Sequence, residues 1–149
     1  MIVIPDILTL MRKGFYYEGI RFGMSVDELR SNLGKPGSAI GDGNIGYIVY
    51  DFLRIGFIDK IIDEIAIFFN SNEELKFSTN LDDEIDYIST CTKIHQLIKL
   101  FNMNGIEWHA EYHNNELDYV SLTIGTTSVV TFDLNTGLIY RISFGSGLD

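Results

Sequence analysis

Basic residues, prolines and cysteines are all scarce in this chain of 149 residues. Lys and Arg number 11 against 21 Asp and Glu, for a formal net charge of −10. Gripping a phosphate backbone takes clustered Lys and Arg, so nucleic acid and anionic membrane surfaces are not the expected partners. An acidic chain is instead steered towards basic partners, and its carboxylates also serve solubility. Cys91 is the single cysteine, which excludes an internal disulfide and a cysteine metal cluster. No apolar run approaches the length of a membrane span. Residues 1–6 carry no basic region, and Pro5 and Asp6 interrupt their apolar side chains, so they do not read as a signal peptide. The expected location is cytoplasmic.

What is present suits a packed core: 46% of residues are apolar and 13% aromatic. The clearest local signal is Gly23 to Pro36. Ser25 is an N-cap, Asp27 and Glu28 complement the helix dipole, and Val26, Leu29 and Leu33 recur at helical spacing. Gly34 and Pro36 end the helix. Pro5 to Lys13 predicts a shorter helix before it, with Pro5 in the first helical position. Gly37 to Gly46 reads as a glycine-rich connection. Strands are expected at Tyr47 to Phe52, Arg54 to Ile58 and Ile61 to Phe69, with a tight turn at Asp59-Lys60. In the third of these, Ile61, Asp63, Ile65, Ile67 and Phe69 share a face by simple alternation.

Residues 71–89 form an acidic connection, with a short strand at Leu75 to Phe77. The helix-then-strands pattern returns after it. Thr92 is positioned to cap a helix bearing Ile94, Leu97, Ile98, Leu100 and Phe101. Strands are expected at Ile106 to His113, Leu117 to Ile124, Ser128 to Leu134 and Leu138 to Phe144. Some residues correspond between the halves. Val26, Leu29 and Leu33 match Ile94, Leu97 and Phe101; Tyr47-Ile48 matches Tyr119-Val120; Ile61 to Ile65 matches Leu138 to Ile142. The expected fold class is α+β, an antiparallel sheet with helices packed on one face. It is read as one domain over 1–149. Within it, half-repeats 15–70 and 90–145 stand as a tandem duplication of a helix-plus-three-or-four-strand module, or their likeness is that of any two apolar strand runs.

Chemistry-bearing motifs are weak. Gly41-Asp42-Gly43-Asn44-Ile45-Gly46 fits G-x-G-x-x-G, but a helix precedes it and a strand follows, the reverse of a dinucleotide site. His109 and His113 would make a metal pair on a helix, yet residues 107–113 alternate as a strand, with Glu107, His109, Glu111 and His113 on one solvated face. Cys91 and His95 are four apart, without a third orienting group or an oxyanion-hole motif. No catalytic residue, metal or cofactor is expected, and the chain reads as a non-enzyme. A small-ligand protein or enzyme using Cys91/His95 or the His109/His113 face is the competing reading. Self-association into a structural protein is a third.

The segment Met24-Ser25-Val26-Asp27-Glu28-Leu29-Arg30-Ser31-Asn32-Leu33-Gly34-Lys35-Pro36 resembles the helix and L-G-x-P opening of a broad bacterial group. That group includes the repeats of β-lactamase inhibitor proteins and small outer-membrane assembly lipoproteins. Its modules pack helices on one face of an antiparallel sheet. The approach Gly19-Ile20-Arg21-Phe22-Gly23 resembles small cytosolic immunity proteins encoded beside bacterial polymorphic toxins. The likeness covers the first half well and the second loosely. Lacking a lipidated cysteine and disulfides, the chain departs from the lipoproteins and from the secreted inhibitors. The resemblance implies an immunity protein that neutralises a cognate toxin by direct binding. On that reading the toxin has a basic surface, and the partner-binding residues are Glu73, Glu74, Asp82, Asp83, Glu84 and Asp86, which imitate a phosphate backbone and speed encounter. An aromatic surface of Tyr16, Tyr17, Trp108 and Tyr112 is the second choice.

Overall fold

The computed structural model describes residues 2–4, 6–69, 74–81, 87–114, 118–125 and 127–145. Among them, eight strands form one antiparallel sheet: β1 (Ser38–Gly41), β2 (Ile45–Tyr50), β3 (Leu53–Ile58), β4 (Ile61–Phe68), β7 (His109–Asn114), β8 (Asp118–Ile124), β9 (Ser128–Asp133) and β10 (Ile139–Phe144). Their order across the sheet is β1-β2-β3-β4-β10-β9-β8-β7. Two four-strand meanders therefore meet at a β4–β10 seam. A small second sheet pairs β5 (Lys76–Ser78) with β6 (Tyr87–Ser89).

The helices begin where their caps dictate. In α2 (Val26–Leu33) the Glu28 N–H donates to Ser25 Oγ at 3.1 Å, and Gly34 closes the helix at φ 81°. In α1 (Ile7–Lys13) the cap is Asp6, whose carboxylate accepts from the Thr9 N–H and hydroxyl; the helix starts later than Pro5. Thr92 does not cap α3 (Ile94–Met103). Its hydroxyl accepts from the Ser89 N–H at 2.8 Å, so the cap position falls to Lys93, whose N–H donates to Gln96 Oε1. No described helix is long and apolar enough to cross a membrane.

All three helices bury their apolar stripes against one face of the sheet. Ile7 and Met11, Leu29, and Leu97 and Phe101 join one core with Ile48, Ile55, Ile65, Ile142, Val130 and Leu122. In register these sheet residues form two cross-strand rows, Ile48-Ile55-Ile65 and Leu122-Val130-Ile142, which are offset by two residues where β4 meets β10. Thr127 Oγ1 donates to the Met11 carbonyl at 2.7 Å, tying α1 to the β8–β9 turn. The Tyr50 hydroxyl donates to the Gly34 carbonyl at 2.7 Å, tying the end of α2 to β2.

The two halves repeat one hydrogen-bonding scheme. Val26 N–H donates to the Lys60 carbonyl, and Ile62 N–H to the Met24 carbonyl. In the second half, Ile94 N–H donates to the Gly137 carbonyl and Ile139 N–H to the Thr92 carbonyl. Each fourth strand carries a bulge at the same place. Asp63 is the extra residue in β4 and Tyr140 in β10. At the seam Ile65 pairs with Phe144, Ala66 with Ser143 and Ile67 with Ile142, which places a local two-fold relation at Ala66/Ser143. The register also corrects one match. Ile48 faces Ile55 and Ile65 as Leu122 faces Val130 and Ile142, so Tyr47 corresponds to Ser121 rather than to Tyr119.

Two other expectations change. The bulge shifts the alternation in β4, so that Ile62 is buried while Ile61 and Asp63 are exposed. Part of the glycine-rich connection 37–46 is strand β1. It carries no alternation of apolar and polar positions, because every β1 residue is exposed and its hairpin closes through Gly41 opposite Gly46. A Cβ on Gly46 would lie 2.1 Å from the Ile40 carbonyl oxygen, so the close approach of these strands requires glycine. Gly46→Ala is expected to open this pair. The amides of β1 then lose at least ~10-fold of their protection from hydrogen exchange, while those of β3 and β4 keep theirs.

Candidate functional site

The sheet face turned away from the helices is not the polar, solvated surface that alternation leads one to expect. The residues flanking the buried rows point to it: Tyr47 from β2, Arg54 from β3, Phe68 from β4, Tyr140 and Arg141 from β10, and Tyr119 from β8. They form a continuous array. The Arg54 guanidinium carbon stands 3.4 Å from the Tyr47 ring centroid and 4.7 Å from that of Phe68. Arg141 stands 5.7 Å from the same Phe68 ring. Phe68 meets Tyr140 edge to face at 5.7 Å, and Tyr140 stacks on Tyr119 at 5.1 Å. Cation–π contacts of this kind stabilise by about 0.5–2 kcal/mol each.

The local causes are clear. The bulge at Tyr140 adds a residue to the outer face and brings its ring beside Phe68 and Tyr119. The β4–β10 seam sets Arg141 directly opposite Phe68. Beneath the array Ser121 and Thr131, paired across β8 and β9, are buried with their hydroxyls 3.2 Å apart. Burial, together with the neighbouring Tyr140 hydroxyl and the Asp133 carboxylate, pushes the Tyr119 hydroxyl above its ordinary value.

Next to Tyr47 the array runs into an apolar corner. Ile40 lies across from Tyr47, Ile45 across from Ile58, and Ile58 across from Ile61. These four isoleucines are 58%, 59%, 50% and 41% exposed. Contiguous exposed apolar side chains at a sheet corner mark an interaction surface more often than single ones do.

The two guanidiniums meet no carboxylate among the described residues, where the ion pair is Arg21 with Glu28 at 3.0 Å. Arg141 Nε is buried and has no hydrogen-bond partner there. In a chain of net charge −10, these are arginines held by rings rather than by acids.

The sequence-predicted acidic site stands differently. Of Glu73, Glu74, Asp82, Asp83, Glu84 and Asp86, only Glu74 lies within the described residues, and it is exposed. The flanking segments carry β5 and β6, so the connection is partly structured. The second choice, an aromatic surface, is not one surface. Tyr17 lines a cavity with Tyr50 and Asp51, at the β2–β3 turn. Trp108 lines a groove of about 640 Å³ with Asn102 and His109, at the opposite edge of the sheet. Its indole N–H donates to Asn102 Oδ1 at 2.8 Å.

His109 and His113 both lie in strand β7. Four residues of strand span about 13 Å, against ~6 Å for the same spacing on a helix. Among the described residues no group of three His, Cys, Asp or Glu is gathered for a metal. Cys91 is exposed in the turn before α3, where its own N–H donates to Ser89 Oγ, and His95 is exposed on the helix. No hydrogen bond joins their side chains.

The G-x-G-x-x-G segment is a hairpin. Asp42 Oδ1 accepts from the N–H groups of Asn44 at 3.0 Å and Ile45 at 3.1 Å. Those two bonds hold its carboxyl below the ordinary value of 3.8. A carboxylate so depressed stabilises the fold fully above the unfolded value and loses that contribution as pH falls through the folded one. Exchange at the Asn44 and Ile45 amides, corrected for its intrinsic pH dependence, is therefore expected to accelerate below about pH 3.8. Asp42→Ala should abolish that acceleration.

No protein-family model, curated protein or solved structure matches the chain.

Proposed function

We propose that this chain is a non-catalytic protein-binding domain that docks its partner on the helix-free face of the eight-stranded sheet. The observation that carries this reading is the array Tyr47, Arg54, Phe68, Arg141, Tyr140 and Tyr119, continuous with four exposed isoleucines. Tyr and Arg are the residues in which binding energy concentrates at interfaces, and rings held by neighbours lose little entropy on contact. On the resemblance of the Met24 to Pro36 segment, the partner is a cognate bacterial toxin and the chain is its cytoplasmic immunity protein. The acidic residues Glu73, Glu74, Asp82, Asp83, Glu84 and Asp86 then steer encounter with a basic toxin surface, which raises the on-rate.

The test uses the protein encoded immediately upstream of this chain. Its inactivated C-terminal domain is mixed with the chain, and the active form is expressed in cells with and without it. A one-to-one complex and restored growth support the reading. Growth arrest that persists, with no complex at micromolar concentration, contradicts it. Neutralising Asp82, Asp83, Glu84 and Asp86 together should lower the on-rate and flatten its salt dependence while leaving the off-rate unchanged.

A further inference from the structure

We infer that Arg54 and Arg141 form a receptor for a carboxylate, so that the partner docks by presenting an aspartate or glutamate side chain with an apolar neighbour. The inference rests on the docking face proposed above and names the chemistry that the face reads. Both guanidinium carbons stand over the one Phe68 ring, at 4.7 and 5.7 Å, and are no farther apart than the sum of those distances. Stacking on Tyr47 at 3.4 Å covers a face of the Arg54 guanidinium and leaves its donor edge unspent. Neither arginine meets a carboxylate among the described residues, and Arg141 Nε is a buried donor without a partner.

The charge selects the occupant. Two fixed positive groups on the face attract an anion, while the −10 charge of the whole chain repels a polyanion. A single carboxylate on an otherwise neutral or basic protein satisfies both conditions. The planar fork of arginine matches a carboxylate bidentately, and the ring beneath keeps the fork oriented before binding. The isoleucine corner beside Tyr47, made by Ile40, Ile45 and Ile58, supplies the apolar site for the neighbouring residue of the same segment.

The probes are acetyl-Leu-Glu-Leu-amide, its glutamine counterpart and inorganic phosphate, titrated into the full chain. The readout is the Nε–Hε nuclear magnetic resonance signals of the arginines. Arg54 and Arg141 signals should shift saturably with the glutamate peptide at a dissociation constant on the order of millimolar. Binding should be at least ~10-fold weaker with the glutamine peptide. Arg54→Lys with Arg141→Lys keeps the charge, removes the fork, and should cost at least ~10-fold. Backbone amide spectra of that variant check that it is folded. Equal response to both peptides overturns the receptor, as does phosphate binding as tightly as the glutamate peptide, or shifts confined to other arginines. With the protein partner in hand, the same double variant should bind about 100-fold more weakly. A partner that contacts the array yet ignores this variant overturns the receptor and leaves the docking face standing. A partner that misses the array removes the docking face, while the peptide titration still decides the receptor. A concentration-dependent dimer that dissociates in the variant would make the occupant a second copy and overturn a separate partner.

Discussion

Phe132→Ala is expected to cost about 3–5 kcal/mol of unfolding free energy. Phe132 is fully buried in β9, among the largest side chains in the core. A domain of this size has about 5–15 kcal/mol in all, so the variant should stand near the edge of folding at 37 °C. Urea denaturation of both proteins measures the difference. The strand register supplies an internal comparison. Phe57 pairs with Ile62 across a bulge as Phe132 pairs with Ile139, so the two phenylalanines hold matching places in the two halves. Phe57 borders a cavity of about 280 Å³ with Val26 and Ile48, which already opens that end of the core. Removing its ring adds void where packing is incomplete, so Phe57→Ala should cost less than Phe132→Ala. Equal losses would mean that the two halves are packed alike.

Replacing Tyr47 and Phe68 together by alanine should weaken partner binding about 10²–10³-fold while leaving the fold in place. Hot-spot residues of this type contribute at least ~2 kcal/mol each on truncation, and their effects do not add simply. Phe68 carries more than its own contact area, because both guanidiniums stand over its ring. Without it Arg54 and Arg141 lose their support and regain rotamer freedom, which raises the cost of ordering them on contact. Both side chains are half-buried on the outer face and carry three cation–π contacts between them, so the stability loss should be about 2–4 kcal/mol. Isothermal titration calorimetry with the partner and urea denaturation of the free chain separate the two effects. A loss of affinity matched by a collapse of stability would make the array structural.

Much of the architecture was legible because its signals are local. Ser25 and Gly34 bracket α2 as their chemistry requires, and Asp59-Lys60 makes the β3–β4 turn with φ of 53° and 63°. The antiparallel sheet with helices on one face follows from strand alternation and short connections. Strand β1 was hidden because an exposed edge strand carries no burial pattern and its glycines read as a loop. The short strand expected at Leu75 to Phe77 stands one residue later as β5, whereas its partner β6 is a three-residue run with no measurable period. The bulge residues Asp63 and Tyr140 break a two-residue alternation at places that only cross-strand register reveals.

The candidate site was harder to read because it is made by register. Arg54, Phe68 and Arg141 come together through the β3–β4 hairpin and the β4–β10 seam, and the seam joins residues from opposite halves of the chain. Alternation assigns all three to the outward face, where charged and aromatic side chains read as solvated. A signal was nonetheless present. Tyr47, Arg54, Phe68, Tyr119 and Arg141 occupy outward positions that a plain solvated sheet fills with Lys, Glu and Thr. The predicted acidic residues are attractive by charge alone, and charge acts at a distance without specifying a contact surface.

The most direct measurement is hydroxyl-radical footprinting of the chain, free and bound to the protein encoded upstream. Tyr47, Phe68, Tyr119 and Tyr140 should lose reactivity several-fold on binding, while Tyr16, Trp108 and Tyr112 stay as reactive as in the free chain. Protection of Tyr16, Trp108 or Tyr112 with the four array rings unchanged would contradict it.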